Sequence, residues 1–263
     1  MGKKKMALVI VAALITGPLV ANAALVATDG GLGVYDATNN VTWTSNGSLI
    51  ATQAASYSGG AAAFVSAVIA DSGGVIHDAP SPTYDPTGTY TLSASDFNTS
   101  AGTMDWWGAR AWVHYLDVTN YGGSNQWALP TTVDSSSIIG FPSGIGALPS
   151  PSSSQLAELF YGGLGQVESS SITTTHNSNY ALFSNVQSGN YWSGTEEVSS
   201  FGVGAYFFNT QYGFQDFEDN KRPENYALAV SPGQLSATPL PGAAWLLGSG
   251  LLGLMGLSRR KAR

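Results

Sequence analysis

The sequence predicts one compact α+β domain, and three observations point to it. Residues 106–118 carry a helical stripe, with Ala109, Trp112, Val113 and Leu116 spaced i, i+3, i+4, i+7. The last third of the body holds short β-forming runs instead, at Tyr191-Trp192, 205–208, 214–217 and 226–230. Between two apolar ends, residues 24–237 have the length of an ordinary domain, enough to bury roughly 70% of the unfolded surface.

Taken in order, residues 31–43 read as strand, turn, strand. Val34 and Tyr35 favour β structure, residues 36–40 supply turn chemistry, and Val41-Thr42-Trp43 resumes a strand. A helix is expected over 61–70, with Phe64, Val65, Val68 and Ile69 on one face and Asp71-Ser72-Gly73-Gly74 ending it. The prolines at 80, 82 and 86 make 78–88 an exposed loop, and a short strand follows over 90–97. Asp105 is placed to cap the helix at 106–118. Residues 126–130 read as a short buried strand or bend, and 132–153 as a Ser/Gly/Pro-rich loop insertion. A capping box starting at Ser152 opens another helix, with Leu156, Leu159 and Phe160 inward and Gly162 at its end. Residues 169–179 are polar loop, and 211–213 can turn a hairpin.

Charge is unevenly spread. Of ten Lys and Arg, three precede residue 6 and four follow residue 258. Arg110, Lys221 and Arg222 are left to face all seventeen acids, a net −14 on the body. Nucleic acid is therefore not an expected partner, since phosphate binding needs a basic surface. With no cysteine in the chain, disulfides, a cysteine nucleophile and a thiolate metal site are excluded.

The two ends read as targeting segments. Lys3, Lys4 and Lys5 precede an apolar stretch over 6–20, and Ala21-Asn22-Ala23 fits an A-x-A cleavage site. Residues 1–23 are thus expected to be a secretory signal peptide, cut after Ala23 by signal peptidase. At the other end, Pro239-Leu240-Pro241 leads into an uncharged run over 242–257, and Arg259, Arg260, Lys261 and Arg263 follow. As a helix that run would be about 24 Å long against a hydrocarbon core of about 30 Å. The basic end should stay cytoplasmic.

This order of Pro motif, apolar run and basic tail over 238–263 resembles the PEP-CTERM family of sorting signals, in its VPLPA-type variant. Thr238 stands where that variant usually has Val, and Gly242 where Ala is common. The resemblance implies export by a Gram-negative bacterium, transient residence of 242–257 in the inner membrane and processing by an exosortase. It also implies a place at the cell surface or in an exopolysaccharide biofilm matrix.

The body, 24–237, resembles the Lcl C-terminal domain family. The matching pieces are Gly33-Val34-Tyr35-Asp36 through Val41-Thr42-Trp43, the helix from Trp107 to Leu116, and WALPT at 127–131. Leu156 to Leu159, Tyr191-Trp192-Ser193-Gly194-Thr195 and Lys221-Arg222-Pro223 complete the order. Ala128 stands where the family commonly has Arg, and 227–232 is neutral where the family is often basic. The resemblance implies a C-type-lectin-like α+β fold and a role in adhesion or glycan binding.

No HExxH, GxSxG, Walker or EF-hand motif is present. Enzymatic activity is not expected; an uncharacterised hydrolase acting on glycans is the remaining alternative, and a structural matrix protein another. His77, His114 and His176 are far apart in sequence, and His114 lies off the apolar stripe, as a surface residue would. Asp216, Glu218, Asp219 and Glu224 form the densest acidic group. On a strand Asp216 and Glu218 share a face, and hard oxygen ligands suit Ca²⁺, so Asp216, Glu218 and Asp219 are the candidate metal ligands; the competing reading is a solvated, charged hairpin. Trp43, Trp106, Trp112, Trp127 and Trp192 sit in apolar patterns and belong to the core. Trp107 lies beside the stripe and is the candidate for stacking on a sugar ring.

Overall fold

The computed structural model describes residues 25–80, 86–133, 154–197, 204–218 and 220–235. It is a mixed helix and strand structure. The signal-like ends, with Ala21, Ala23, Pro239, Leu240, Pro241, Arg259, Arg260 and Lys261, lie outside the described residues, as does most of the 132–153 insertion. No helix among the described residues is long and apolar enough to cross a membrane.

The chain begins with an antiparallel meander of β1 (Leu25–Thr28), β2 (Gly33–Asp36) and β3 (Val41–Thr44). The turn forms because Asp36 bends it: its Oδ1 accepts from the Thr38 and Asn39 amides. Asn40 closes the turn in the left-handed region at φ 51. Three helices follow: α1 (Leu49–Ser56), α2 (Gly60–Asp71) and α3 (Trp106–Val118). The expected helix over 61–70 is α2, and the stripe over 106–118 gives α3 with Asp105 as its cap, accepting from Gly108 N at 2.7 Å.

Small hairpins fill the gap between α2 and α3. β4 (Val75–His77) pairs with β5 (Thr89–Thr91), and β6 (Phe97–Asn98) with β7 (Thr103–Met104). The single strand expected over 90–97 is thus broken. Ser93 and Asp96 form a reciprocal capping box that inserts a 3₁₀ turn over Ala94–Asp96. The later helix is also capped two residues beyond the expected Ser152. Ser154 accepts from Ala157 N, and α4 (Gln155–Ala157) runs into a π turn over Glu158–Gly163.

The β-rich last third forms β8 (Asn190–Glu197), β9 (Gly204–Asn209) and β10 (Phe214–Glu218) in the order β10-β9-β8, with 211–213 in the hairpin turn as expected. β11 (Val230–Pro232) then returns to pair with β3, so the two ends of the body share one sheet.

Two apolar cores result, and the β8–β10 sheet lies between them. Trp192 and Phe207 join the helical core of Phe64, Trp106, Trp107 and Trp112. Their chain neighbours Tyr191 and Phe208, pointing to the opposite face, join the core under the first sheet with Trp43 and Phe160. Every residue of β9 is buried, which explains its unbroken apolar run.

Candidate functional site

The N-terminal end of α3 collects the charge of the body. Arg110, Lys221 and Arg222 are the three cations between residues 24 and 237, and all three converge there. The Arg110 guanidinium lies 4.9 Å from the Trp106 ring centroid and the Lys221 ammonium 4.6 Å from it. Arg222 lies 5.9 Å from the ring of Tyr90, which stacks on Trp107. The sugar-stacking role expected for Trp107 needs an exposed ring and is overturned, because Trp107 is 1% exposed. Tyr90 covers one face of its ring, and its Nε1 donates to Asp78 Oδ2 at 2.8 Å. Asp78, expected in an exposed loop, has a buried side chain.

Acids answer the cations. Asp96 takes the Tyr90 hydroxyl on Oδ1 at 2.9 Å and the Ser93 amide on Oδ2 at 2.7 Å. Burial pushes the Asp105 carboxyl well above the usual carboxylate range; the Gly108 N–H opposes this and the charge on Asp96 adds to it. Burial likewise raises the Tyr90 phenol, with Asp105 next in weight. The other five body tryptophans, Trp43, Trp106, Trp112, Trp127 and Trp192, are buried as expected.

No protein-family model matches the chain, and neither a curated protein nor a solved structure does.

Among the described residues, two open grooves stand out. One, of about 700 Å³, runs along α1. Ser48, Thr52, Ser56, Ser100, Asn185 and Gln187 supply its rim, with Ala51, Ala55 and Ala101 between them. Its lining has hydroxyls, amides and methyl groups and no charge. The rim is pre-set: Asn46 Nδ2 donates to Thr52 Oγ1 at 2.8 Å, and Gln187 Nε2 to the Asn185 carbonyl at 2.8 Å. Asn185 holds φ 52, a conformation Asn tolerates better than most residues.

The other groove, of about 410 Å³, lies on the outer face of α3. Arg110, His114 and Asp117 form one wall, and Trp127, Ala128, Leu129 and Thr131 with Gly194 form the other. The second wall is held by backbone pairing of Ala128 with Val230 and by Gly194 N donating to Pro130 O at 2.8 Å. Asp117 joins the walls by accepting the Trp127 amide. Burial raises the Asp117 carboxyl, against the lowering effects of that N–H and of His114. His114 is exposed, as expected, with Nε2 3.1 Å from the Asp71 carbonyl.

The remaining candidates are scattered. Asp216 and Glu218 lie on β10, opposite Phe207 and Ala205 of β9, while Asp219 is outside the described residues. Among the described residues no three His, Cys, Asp or Glu side chains gather as metal ligands. Glu224 accepts instead from Asn98 and Thr103, at 2.8 and 3.0 Å. His77 meets Thr89, and His176 stacks on Tyr180. Sequence reasoning missed the cluster of Asp78, Glu196 and Lys221. The available signal was a lone lysine and arginine pair in a strongly acidic body, which needs acidic partners wherever it is buried.

Proposed function

We propose that this is an exported cell-surface or biofilm-matrix protein whose body binds a neutral extracellular glycan in the α1 groove. The groove's lining carries the reading: hydroxyl and amide side chains without charge match the hydroxyls of a sugar chain. A body at −14 repels polyanions, which favours an uncharged polysaccharide over an acidic one. The sheet that joins both ends of the body, with helices and a second sheet between them, supports a C-type-lectin-like arrangement.

The location rests on the terminal segments. Export from a Gram-negative bacterium would use signal peptidase at Ala21-Asn22-Ala23. An exosortase acting near Pro239-Leu240-Pro241 would then release the body from the inner membrane. Mass spectrometry of the mature protein should find no peptide from Ala243 onward. Recovery of an intact Arg263 terminus from an exosortase-competent cell overturns the sorting.

A structural matrix protein is the second reading, favoured by the burial of all six body tryptophans, which withdraws the usual sugar-stacking surfaces. A glycan array and a pull-down with the native exopolysaccharide decide between them. Glycan binding predicts capture that Ala55→Trp, which fills the groove, and Gln187→Ala both weaken at least tenfold. Equal capture by these variants removes the groove, and no capture on either assay leaves the structural reading.

A further inference from the structure

The densest unexplained chemistry is the buried charge cluster beside Trp106 and Trp107. Lys221 Nζ lies 2.5 Å from Asp78 Oδ2 and 2.7 Å from Glu196 Oε2. The lysine and aspartate side chains are each 1% exposed and the glutamate 20%. The two indoles wall the ammonium, at 4.6 and 5.8 Å. Each member is held by backbone from a different part of the chain. Trp106 N donates to Lys221 O at 3.0 Å, Asp78 N to Gly88 O at 3.2 Å, and Glu196 sits opposite Ala205 in the β8–β9 ladder. Ala79 N also donates to Glu196 Oε2 at 2.9 Å, which ties the aspartate's segment to the glutamate.

We propose that Lys221 and Asp78 condense into an intramolecular amide, with Glu196 carrying the proton. The ion pair first neutralises as one proton passes from the ammonium to the Asp78 carboxylate. The Nζ lone pair then attacks Asp78 Cγ; charge develops on Oδ1, while Trp107 Nε1–H, 2.8 Å from Oδ2, holds the protonated oxygen in place to depart. Glu196 takes a proton from the attacking nitrogen and delivers it to the departing oxygen. The C–O bond breaks, one water leaves, the Cγ–Nζ amide remains, and Glu196 ends as it began. No oxidant, metal or cofactor enters the balance.

Three physical features favour this outcome over a permanent salt bridge. Two buried charges carry a desolvation cost that a neutral amide removes. The reacting groups are fixed in contact, and well-oriented intramolecular reactions reach effective molarities of about 10⁵–10⁸ M. The indole walls that exclude water also disfavour hydrolysis of the product. The bond would join positions 143 residues apart. In an exported chain without cysteine it would supply the covalent closure that disulfides provide elsewhere.

The purified chain should weigh one water less than its processed sequence in denaturing mass spectrometry. Trypsin gives a second, independent reading. Its body sites are Arg110, Lys221 and Arg222, and Arg222 precedes Pro223, a poor site. An acylated Lys221 resists trypsin, so the denatured body should be cut at Arg110 and yet stay in one piece, joined through Asp78. Lys221→Arg should fall into separate fragments. Glu196→Gln, which keeps a hydrogen-bonding side chain, should lose the linkage and return to the full mass. A full-mass wild-type chain cut after Lys221 overturns the proposal, whether or not any variant folds. Linkage persisting in Glu196→Gln overturns the assignment of Glu196 as proton carrier.

Discussion

Tyr90 lies face to face on Trp107, with ring centroids 3.9 Å apart and planes 7° from parallel. The phenol also donates to Asp96, so one side chain both covers the indole and ties the hairpin of β4 and β5 to the acids at the start of α3. Tyr90→Ala should cost about 3 kcal/mol, as large aromatic truncations do. Tyr90→Phe, which keeps the stack and loses one hydrogen bond, should cost about 1 kcal/mol. Urea denaturation measures both, and tryptophan emission should shift to the red in the alanine variant alone. Equal costs would mean that the hydroxyl, and not the stack, carries the contribution.

Asp36 plays a comparable part in the first sheet. It is fully buried and accepts from Thr38 N, Asn39 N and Asn39 Nδ2, and from Trp43 Nε1 at 3.2 Å. Asp36→Ala undoes the turn and strands a buried indole N–H, so a loss of roughly 2–4 kcal/mol is expected in chemical denaturation. A change below 1 kcal/mol would show that the β2–β3 turn forms without its side-chain support.

Local signals made part of this fold legible. The α3 stripe and its Asp105 cap lie within one short stretch, and so do the Asp36 turn and the 211–213 hairpin. Helix α1 gave no such signal, because its buried side is only Leu49, Ile50 and Ala54. The break in the 90–97 strand was readable in Ser93 and Asp96, a pair that favours a cap over a ladder. The site is a different matter. Lys221 meets partners 143 and 25 residues away, and Trp107 is covered by a ring from another hairpin. Spacing along one element cannot reveal contacts made by tertiary packing, so the position of Trp107 at the edge of the helical stripe carries no sign of the Tyr90 ring that covers it.

Gly213 tests the hairpin between β9 and β10. Its φ of +79 is a left-handed value, and an added Cβ would collide with the Tyr161 hydroxyl. That hydroxyl donates to the Gly213 carbonyl. Gly213→Ala should therefore cost more than the roughly 1 kcal/mol of the backbone conformation alone. Tyr161→Phe removes the colliding oxygen. The double variant should then be less destabilised than the sum of the singles, by about 0.5–1 kcal/mol in a double-mutant cycle. Strict additivity would mean that the tyrosine moves aside freely.

The last prediction concerns pH. Burial, reinforced by Asp96 and opposed by the Gly108 N–H and by Arg222, raises Asp105 from its ordinary 3.8 to about 8. The folded state then holds a proton that the unfolded state gives up near 3.8. Stability from this group is fully present below that value and falls as pH rises towards 8, because the native state binds more protons throughout the interval. Asp105→Asn keeps an acceptor for the Gly108 N–H and cannot ionise. The stability of the wild type minus that of the variant should fall with pH across this window, with a slope of on the order of 1 kcal/mol per pH unit. Other acids titrate in both proteins and drop out of the difference. Urea denaturation at intervals from pH 4 to pH 8 measures it. Parallel curves would show that Asp105 is ionised throughout, its charge held by Arg222 and the helix N-terminus.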